Sequence, residues 1–149
     1  MRVLIIGSGG REHVIADRIS KSHFNVDLFY AGKENFGMEK IADRFETNYM
    51  DDEFVDEVKH NDISFVVVGP EKPLEYGIAD QLRHHNIKCI GPSSRITKLE
   101  SSKGFARMLI SSNEDLQKFN PHYSIITKKN IDNIFANELK RKQPIVVKP

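Results

Sequence analysis

The feature that most constrains this chain is the stretch LIIGSGGREH at residues 4–13, where an apolar run meets three glycines and charged residues follow. The apolar run at residues 2–6 is typical of a strand that is buried on both faces of a sheet. Residues without side chains leave bare backbone, against which a ligand or another part of the chain can lie closely. The segment from Gly7 to Glu12, the glycine turn, could therefore hold a dinucleotide, hold a sugar phosphate or serve tight packing.

The first 93 residues alternate between strand-like and helix-like patterns. Further strands are predicted at residues 26–30, around Ile41, at 63–69 in the sheet centre and at 87–91, with helices at 12–20, 51–60 and 74–85. This alternation predicts right-handed βαβ units and a parallel sheet, which is an α/β fold. Three predicted strands end in a glycine, namely Gly7, Gly69 and Gly91. Because such sheets bind ligands beyond the carboxyl ends of their strands, we expect a binding rim there.

The pattern changes after Pro92. Residues 95–112 predict one or two helices, 123–127 a strand, 130–142 a helix with Asn130 as its N-cap, and 144–149 a last strand. A single strand–helix–strand unit has too little apolar surface to close a core, so we expect a second domain that is cut off. The predicted organisation is a domain at 1–93, linker helices at 94–120 and an incomplete domain at 121–149.

Composition excludes several classes of function. The chain has 22 Lys and Arg against 21 Asp and Glu, so it lacks the basic surface expected for nucleic-acid binding. The longest apolar run, residues 65–68, is too short to cross a membrane, and residues 1–13 do not resemble a signal peptide. The single cysteine, Cys89, fits a reducing compartment, and no Cys/His pair has zinc spacing. We expect a cytoplasmic protein that binds small molecules, without nucleic-acid or membrane partners.

The glycine turn fits a phosphate better than a dinucleotide. Gly7 and Gly9 match the first two positions of the dinucleotide pattern G-x-G-x-x-G, but Glu12 takes the third. The second predicted strand ends in FYAG, without the acid that would bind a ribose. Gly9 and Gly10 instead let backbone N–H groups converge at a helix N-terminus that favours an anion. Arg11 can add a bidentate contact.

Three long segments keep the order and spacing of one enzyme family. RVLIIGSGGREH at 2–13 is similar to a strand followed by G-N-G-G-R-E-H, and VVVGPEKPLEYGIAD at 66–80 is similar to V-G-P-E-x-P-L-x-x-G-x-x-D. IGPSSRITKLESSKGFAR at 90–107 is similar to G-P-x-x-x-A-x-L-E-x-S-K-x-F, and PIVVKP at 144–149 resembles P-x-V-x-K-A. These motifs resemble phosphoribosylamine–glycine ligases, also called glycinamide ribonucleotide synthetases.

The chain departs from the family pattern at several positions. Ser8 stands for asparagine, Thr97 for alanine and Pro149 for alanine. YAGKENFGME at 30–39 replaces a P-G-N-x-G-T loop, and Asn35 and Gly37 are the best candidates for its function. Residues 108–121 are longer than expected, and the glycine-rich A-D-G-L-A-A-G-K-G-V segment that should follow Pro149 is absent.

The resemblance implies an ATP-grasp enzyme that joins phosphoribosylamine to glycine in de novo purine biosynthesis, with ATP as co-substrate and Mg²⁺ or Mn²⁺. Its N-terminal domain would be a Rossmann-like substrate-binding domain, followed here by the incomplete start of an ATP-grasp domain. Glu71 could accept hydrogen bonds from ribose hydroxyls or from the amine. The substrate-binding residues implied are Ser8, Gly9, Gly10, Arg11, Glu12, Asn35, Gly37, Gly69, Pro70 and Glu71.

Lys103 and Lys148 stand where the family places lysines near the ATP phosphates, and a lysine is a suitable point charge for phosphate. In this family the groups for phosphoryl transfer and the metal ligands come from later sequence. The resemblance thus implies no catalytic residue and no metal ligand in these 149 residues, and we expect the chain alone to be inactive. Two alternatives stay open: a free-standing nucleotide- or sugar-phosphate-binding α/β module, and an NAD(P)-dependent reductase domain.

Overall fold

The structure is a computed structural model that describes residues 1–141 and 143–148. Its residues form two compact units, one from Met1 to Thr97 and a second that begins at Lys98. Within the described ranges, no helix combines the length and the apolar character needed to cross a membrane.

The first unit contains a parallel sheet of five strands. They are β1 (Arg2–Ile6), β2 (Asp27–Ala31), β3 (Asp43–Arg44), β4 (Ile63–Val68) and β5 (Cys89–Ile90), in the order β3-β2-β1-β4-β5. The predicted α/β class and parallel sheet are confirmed. The prediction that residues 63–69 form the central strand is wrong, because β4 lies between β1 and β5 and the central strand is β1. The strand order reverses between β1 and β4, and a ligand crevice forms at such a point.

Five helices belong wholly or partly to this unit. They are α1 (Gly10–Ser20), α2 (Phe54–His60), α3 (Glu71–Glu75), α4 (Ile78–His84) and α5 (Ser94–Ser101), with a short 3₁₀ helix at Met38–Lys40. The helix predicted at residues 74–85 is in fact two helices. Gly77 separates them with φ of +83°, a left-handed conformation that interrupts an α-helix and that glycine adopts without strain.

The core lies on both faces of the sheet because alternate side chains of a strand point to opposite faces. Leu4 and Ile6 of β1 pack with residues of α2 and α4, whereas Val3 and Ile5 pack with Ala16 of α1. The four β1 residues and Ala16 are each 2% exposed or less. Burial of a large aliphatic side chain contributes about 1.5–3 kcal/mol. This double-sided packing fixes the carboxyl ends of the strands, where the glycines lie.

The second unit contains α6 (Lys103–Ser111), a 3₁₀ helix at Gln117–Phe119 and α7 (Ile131–Lys140). The predicted strand at 123–127 is wrong, and residues 144–148 also form no strand, while Pro149 lies outside the described residues. A strand needs a neighbour for its backbone hydrogen bonds, and no strand is present between Lys98 and Lys148 among the described residues. The predicted start of an ATP-grasp domain stays a prediction.

Asn130 occupies the N-cap position of α7, as predicted, but its side chain bonds to the preceding loop. Its Oδ1 accepts from the Thr127 N–H at 2.7 Å, and its Nδ2 donates to the Ile125 carbonyl at 3.2 Å. The helix receives no hydrogen bond from this side chain. Asn130 therefore shapes the entry to α7.

Candidate functional site

The glycines predicted at the strand ends lie at one edge of the sheet. Gly7 follows β1 and donates its N–H to the Ala31 carbonyl at 2.8 Å, and Gly69 follows β4 and donates to the Ile6 carbonyl at 3.0 Å. Gly7 has φ of +113°, which a residue with a side chain rarely adopts. The ladder hydrogen bonds thus extend beyond β1 and β4 into the two turns, and hold them side by side.

Glu12 lies inside the crevice between these two turns. Its side chain is 5% exposed, and its Oε2 accepts a hydrogen bond from the Gly9 N–H at 2.7 Å. A Cβ added at Gly69 would lie 2.6 Å from Glu12 Cδ, and one added at Gly7 would lie 2.8 Å from Glu12 Cγ. Gly7, Gly9 and Gly69 therefore make room for a buried carboxylate of the protein itself, a role that the sequence analysis missed.

Arg11 spans the same crevice on its exposed side. Its Nη1 donates to the Gly69 carbonyl at 2.8 Å, and its Nη2 lies 3.3 Å from Glu71 Oε1. Glu71 is the first residue of α3, and Pro70 precedes it as the N-cap in an extended conformation. The structure thus brings together Arg11, Gly69 and Glu71, which the sequence placed at separate strand ends. Because the Arg11 side chain is 62% exposed, the ion pair contributes little to stability, about 0.2–1 kcal/mol.

The open part of the glycine turn is at Gly10, the first residue of α1. A Cβ added there would meet no heavy atom within 4 Å. The first turn of an α-helix leaves N–H groups without acceptors in the helix, and in α1 these belong to Gly10, Arg11 and Glu12. The helix dipole adds a partial positive charge at this end. The turn therefore offers open space and several donors to one anion.

Asn35 holds a loop of residues 32–40, the Asn35 loop, against the glycine turn. Its Nδ2 donates to the Ser8 carbonyl at 2.7 Å, and its Oδ1 accepts from the N–H groups of Gly37 at 2.9 Å and Met38 at 3.1 Å. A Cβ added at Gly37 would lie 2.9 Å from the ring nitrogens of His13. Asn35 and Gly37 therefore position the loop beside the start of α1.

The far end of the Asn35 loop is anchored to the sheet. The hydroxyl of Tyr30 in β2 donates to Glu39 Oε1 at 3.0 Å. Burial raises the pKa of Tyr30, and the hydrogen bond with Glu39 raises it further. Side chains thus hold the loop at two points, Asn35 near its middle and Tyr30 through Glu39 near its end.

Asp80, the last residue of the second motif, begins a further contact that the sequence analysis missed. Its Oδ2 accepts from the Ser94 N–H at 2.8 Å, at the first residue of α5. Hydrogen bonds from Ser94 hold the pKa of Asp80 below its usual range, with a smaller contribution from Arg83. Arg83 also donates to the Gly91 carbonyl. These contacts fix the turn that follows β5. No local sequence signal indicates them, because Asp80 lies within α4, 14 residues before Ser94.

The two predicted ATP-binding lysines both belong to the second unit. Lys103 is the first residue of α6 and donates to the Glu100 carbonyl at 2.6 Å, while Lys148 is exposed and lies in no helix or strand. Their contact with a nucleotide stays a prediction. Across residues 1–141 and 143–148, no group of three or more His, Cys, Asp or Glu side chains could hold a metal ion.

Comparisons with known proteins match this chain to one family of ligases, over the first unit or over the whole chain. Residues 1–100 match the family model described as phosphoribosylglycinamide synthetase, N domain. The phosphoribosylamine–glycine ligase of Agrobacterium fabrum is 44% identical over 113 residues, which cover 73% of this chain and 26% of that protein. The one of Methanobrevibacter smithii is 34% identical over 153 residues, which cover 100% of this chain and 33% of that protein.

A human protein that is named as trifunctional also matches this chain. The trifunctional purine biosynthetic protein adenosine-3 of Homo sapiens is 42% identical over 109 residues, which cover 71% of this chain and 11% of that protein. The chain spans 26% of the length of the relative from Agrobacterium fabrum and 33% of the one from Methanobrevibacter smithii.

Proposed function

This chain belongs to the phosphoribosylglycinamide synthetase family and corresponds to the N-terminal part of its ligases, and from this membership we propose that its first unit binds phosphoribosylamine. The observation that carries the proposal is the first turn of α1 at Gly10, where a Cβ would meet no heavy atom within 4 Å and the helix start supplies N–H donors and a partial positive charge. The phosphate of the sugar would accept hydrogen bonds from these groups.

The neighbouring side chains suit the rest of such a substrate. Arg11 keeps further N–H donors after its contacts with Gly69 and Glu71, because a guanidinium has five. Glu71 carries a carboxylate that can accept hydrogen bonds from ribose hydroxyls or from the amine. The pairing of Arg11 with Glu71 would orient both groups along one side of the sugar phosphate.

The proposed reaction of the whole ligase is the formation of a carbon–nitrogen bond at the expense of ATP. ATP would transfer its γ-phosphoryl group to the carboxylate of glycine and leave as ADP. The amine of phosphoribosylamine would then attack the acyl phosphate, with release of inorganic phosphate. Lys103 and Lys148 would contact the nucleotide phosphates. Because the described residues present no cluster of metal ligands, Mg²⁺ or Mn²⁺ would be held by other parts of the ligase. We expect the 149-residue chain by itself not to complete the reaction.

The proposal is tested by an NMR titration of the 149-residue chain with ribose 5-phosphate, a stable analogue of the substrate. We expect the amide shifts to cluster at Gly10, Arg11 and Glu12. Gly10→Val should weaken binding at least tenfold, because its side chain would fill the open space beside the donors. Arg11→Ala should weaken it roughly tenfold to a hundredfold, since a hydrogen bond to a charged group contributes about 1.5–3 kcal/mol.

The matched control is Arg18→Ala, which removes another exposed arginine from the last turn of the same helix. It should leave the affinity for ribose 5-phosphate within twofold of wild type. Shifts that cluster around Lys103 and spare Gly10 to Glu12 would show that the sugar phosphate binds elsewhere.

A further inference from the structure

We propose that Glu12 determines the specificity of the glycine turn, because its carboxylate occupies the place that a second phosphate would take. The turn then accepts a phosphate monoester and rejects compounds bridged by a pyrophosphate, such as dinucleotides. This inference rests on the proposed function for the monoester, whereas the rejection of pyrophosphate can be tested independently of it.

The position of the crevice is the first step. In parallel sheets of this topology, dinucleotides lie at the point where the strand order reverses, with their pyrophosphate on a glycine-rich turn. Here that point lies between β1 and β4. Gly7 and Gly9 supply the first two glycines of the pattern, and the third position is Glu12.

The space in the crevice is already filled. Glu12 is 5% exposed, and its side chain lies within 3.0 Å of the positions where Cβ atoms of Gly7, Gly9 and Gly69 would stand. A pyrophosphate that approached Gly9 or Gly69 from this side would overlap with the Glu12 side chain. The side of these glycines on which a Cβ would stand is thus occupied by the protein itself.

Hydrogen bonding and charge also disfavour the binding of a pyrophosphate in the crevice. The Gly9 N–H, which would face a pyrophosphate, already donates to Glu12 Oε2 at 2.7 Å. A buried carboxylate also repels a second anion in the crevice, where little water screens the charges. Donors of the first turn of α1 stay available at Gly10, where space is open. One anion can be held there, and a second cannot be held beside it.

A glutamate that accepts a hydrogen bond from the N-cap residue also occurs at ordinary exposed helix ends, where it stabilises the helix. Burial between two turns distinguishes Glu12 from such a residue. A role in helix stability alone predicts that Glu12 variants change unfolding and leave ligand preference unchanged. The specificity role predicts that ligand preference changes.

The experiment compares inorganic pyrophosphate with ribose 5-phosphate on wild type, Glu12→Ala and Glu12→Gln, with NMR shifts of assigned amides as the measurement. Wild type should bind pyrophosphate at least tenfold more weakly than ribose 5-phosphate. In Glu12→Ala the ratio of the two affinities should move at least tenfold toward pyrophosphate, with new shifts at Gly9 and Gly69. Glu12→Gln keeps the shape and removes the charge, so its ratio should fall between the other two.

The control is Asp17→Ala, which removes a negative charge further along the same helix and should leave the ratio of affinities within twofold of wild type. If Glu12→Ala does not fold, two measurements still decide. The ratio of affinities in Glu12→Gln should move toward pyrophosphate, and ribose 5-phosphate should shift the Gly10 amide of wild type and spare Gly9. An unchanged ratio in folded Glu12 variants, or equal shifts at Gly9 and Gly10 in wild type, would overturn the inference. Failure of ribose 5-phosphate to bind wild type would instead count against the proposed function, since the gain of pyrophosphate binding needs no sugar phosphate.

Discussion

Gly69→Ala should destabilise the first unit through Glu12, although it adds only one methyl group. The added carbon would lie 2.5 Å from Glu12 Cγ and 2.6 Å from Glu12 Cδ. Carbon atoms pack at about 3.5–4.0 Å, so the neighbours would have to separate by roughly 1 Å. An extra methyl group in a filled interior costs about 1–3 kcal/mol.

Glu12 cannot relieve this overlap cheaply. Its side chain is buried and accepts the Gly9 N–H at 2.7 Å, so rotation away would give up a hydrogen bond to a charged group. Such a bond contributes about 1.5–3 kcal/mol, and both routes to relief therefore cost a similar amount. We expect Gly69→Ala to lower the free energy of unfolding by about 2–3 kcal/mol.

The assay is equilibrium unfolding in urea, followed by far-ultraviolet circular dichroism. Gly10→Ala is the matched control, because the same methyl group there would meet no heavy atom within 4 Å. Gly10 is the first residue of α1, where alanine should stabilise the protein by about 0.5 kcal/mol. The two alanine variants should thus change stability in opposite directions.

A double-mutant cycle with Glu12→Ala identifies the cause. If the overlap with Glu12 produces the loss, the double variant Gly69→Ala/Glu12→Ala will be more stable than the sum of the single effects predicts. Strictly additive effects would refute this reasoning, and so would equal urea midpoints for Gly69→Ala and Gly10→Ala.

Two further predictions concern the supports of the site. Asn35→Ala removes the hydrogen bonds to Ser8, Gly37 and Met38, so we expect a loss of roughly 2 kcal/mol in urea unfolding and faster amide exchange at Gly37; unchanged exchange would contradict the loop's dependence on Asn35. Asp80→Ala should cost about 1 kcal/mol at pH 7, a modest value because this carboxylate is 41% exposed. The pKa of Asp80 is lowered in the folded protein, so its contribution is fully present above the usual pKa of an aspartate and is lost as pH falls through the lower folded pKa. A difference in stability from wild type that persists below the folded pKa would refute this prediction.

The first unit was predictable because its signals are local. An apolar run that ends in glycine marks a buried strand and its turn, and β1 and β4 begin and end within one residue of the predicted limits. The order of the strands in the sheet was not predictable. The apolar run at residues 63–69 indicates only that both faces of this strand are buried, which also holds for a strand beside the central one. The position of β1 at the centre follows from which strands pair with it, and that pairing is a tertiary property.

The second unit shows why short apolar runs mislead. Residues 123–127 and 144–149 carry β-branched residues that favour strands, but β propensity reflects packing against neighbouring strands. Among the described residues, no strand pairs with either segment. The β propensity of these residues therefore lacks the neighbouring strand that would stabilise an extended conformation. The helix at 131–140 formed where predicted because its hydrogen bonds lie within the segment.

The glycine turn was predicted as a place of close approach, and the structure divides its glycines into two kinds. Gly9, with Gly69 across the crevice, makes room for Glu12, whereas Gly10 faces open space. A glutamate at the third residue of α1 carries the sequence signal of a side chain that folds back onto the N-cap N–H. That signal does not tell how deeply the side chain is buried, because burial depends on Gly69, which lies 57 residues after Glu12 in the sequence.

Measurements of stability and of ligand binding can distinguish these two kinds of glycine. Where a glycine makes room for the protein's own atoms, a side chain strains the fold before any ligand is present, so the unfolding free energy falls first. Where a glycine faces open space, a side chain leaves the fold intact and blocks only the ligand. Gly69→Ala and Gly10→Val should therefore fail in different assays, the first in urea unfolding and the second in the titration with ribose 5-phosphate. The glycines around this crevice would then serve two physical requirements, and Glu12 decides which glycine serves which.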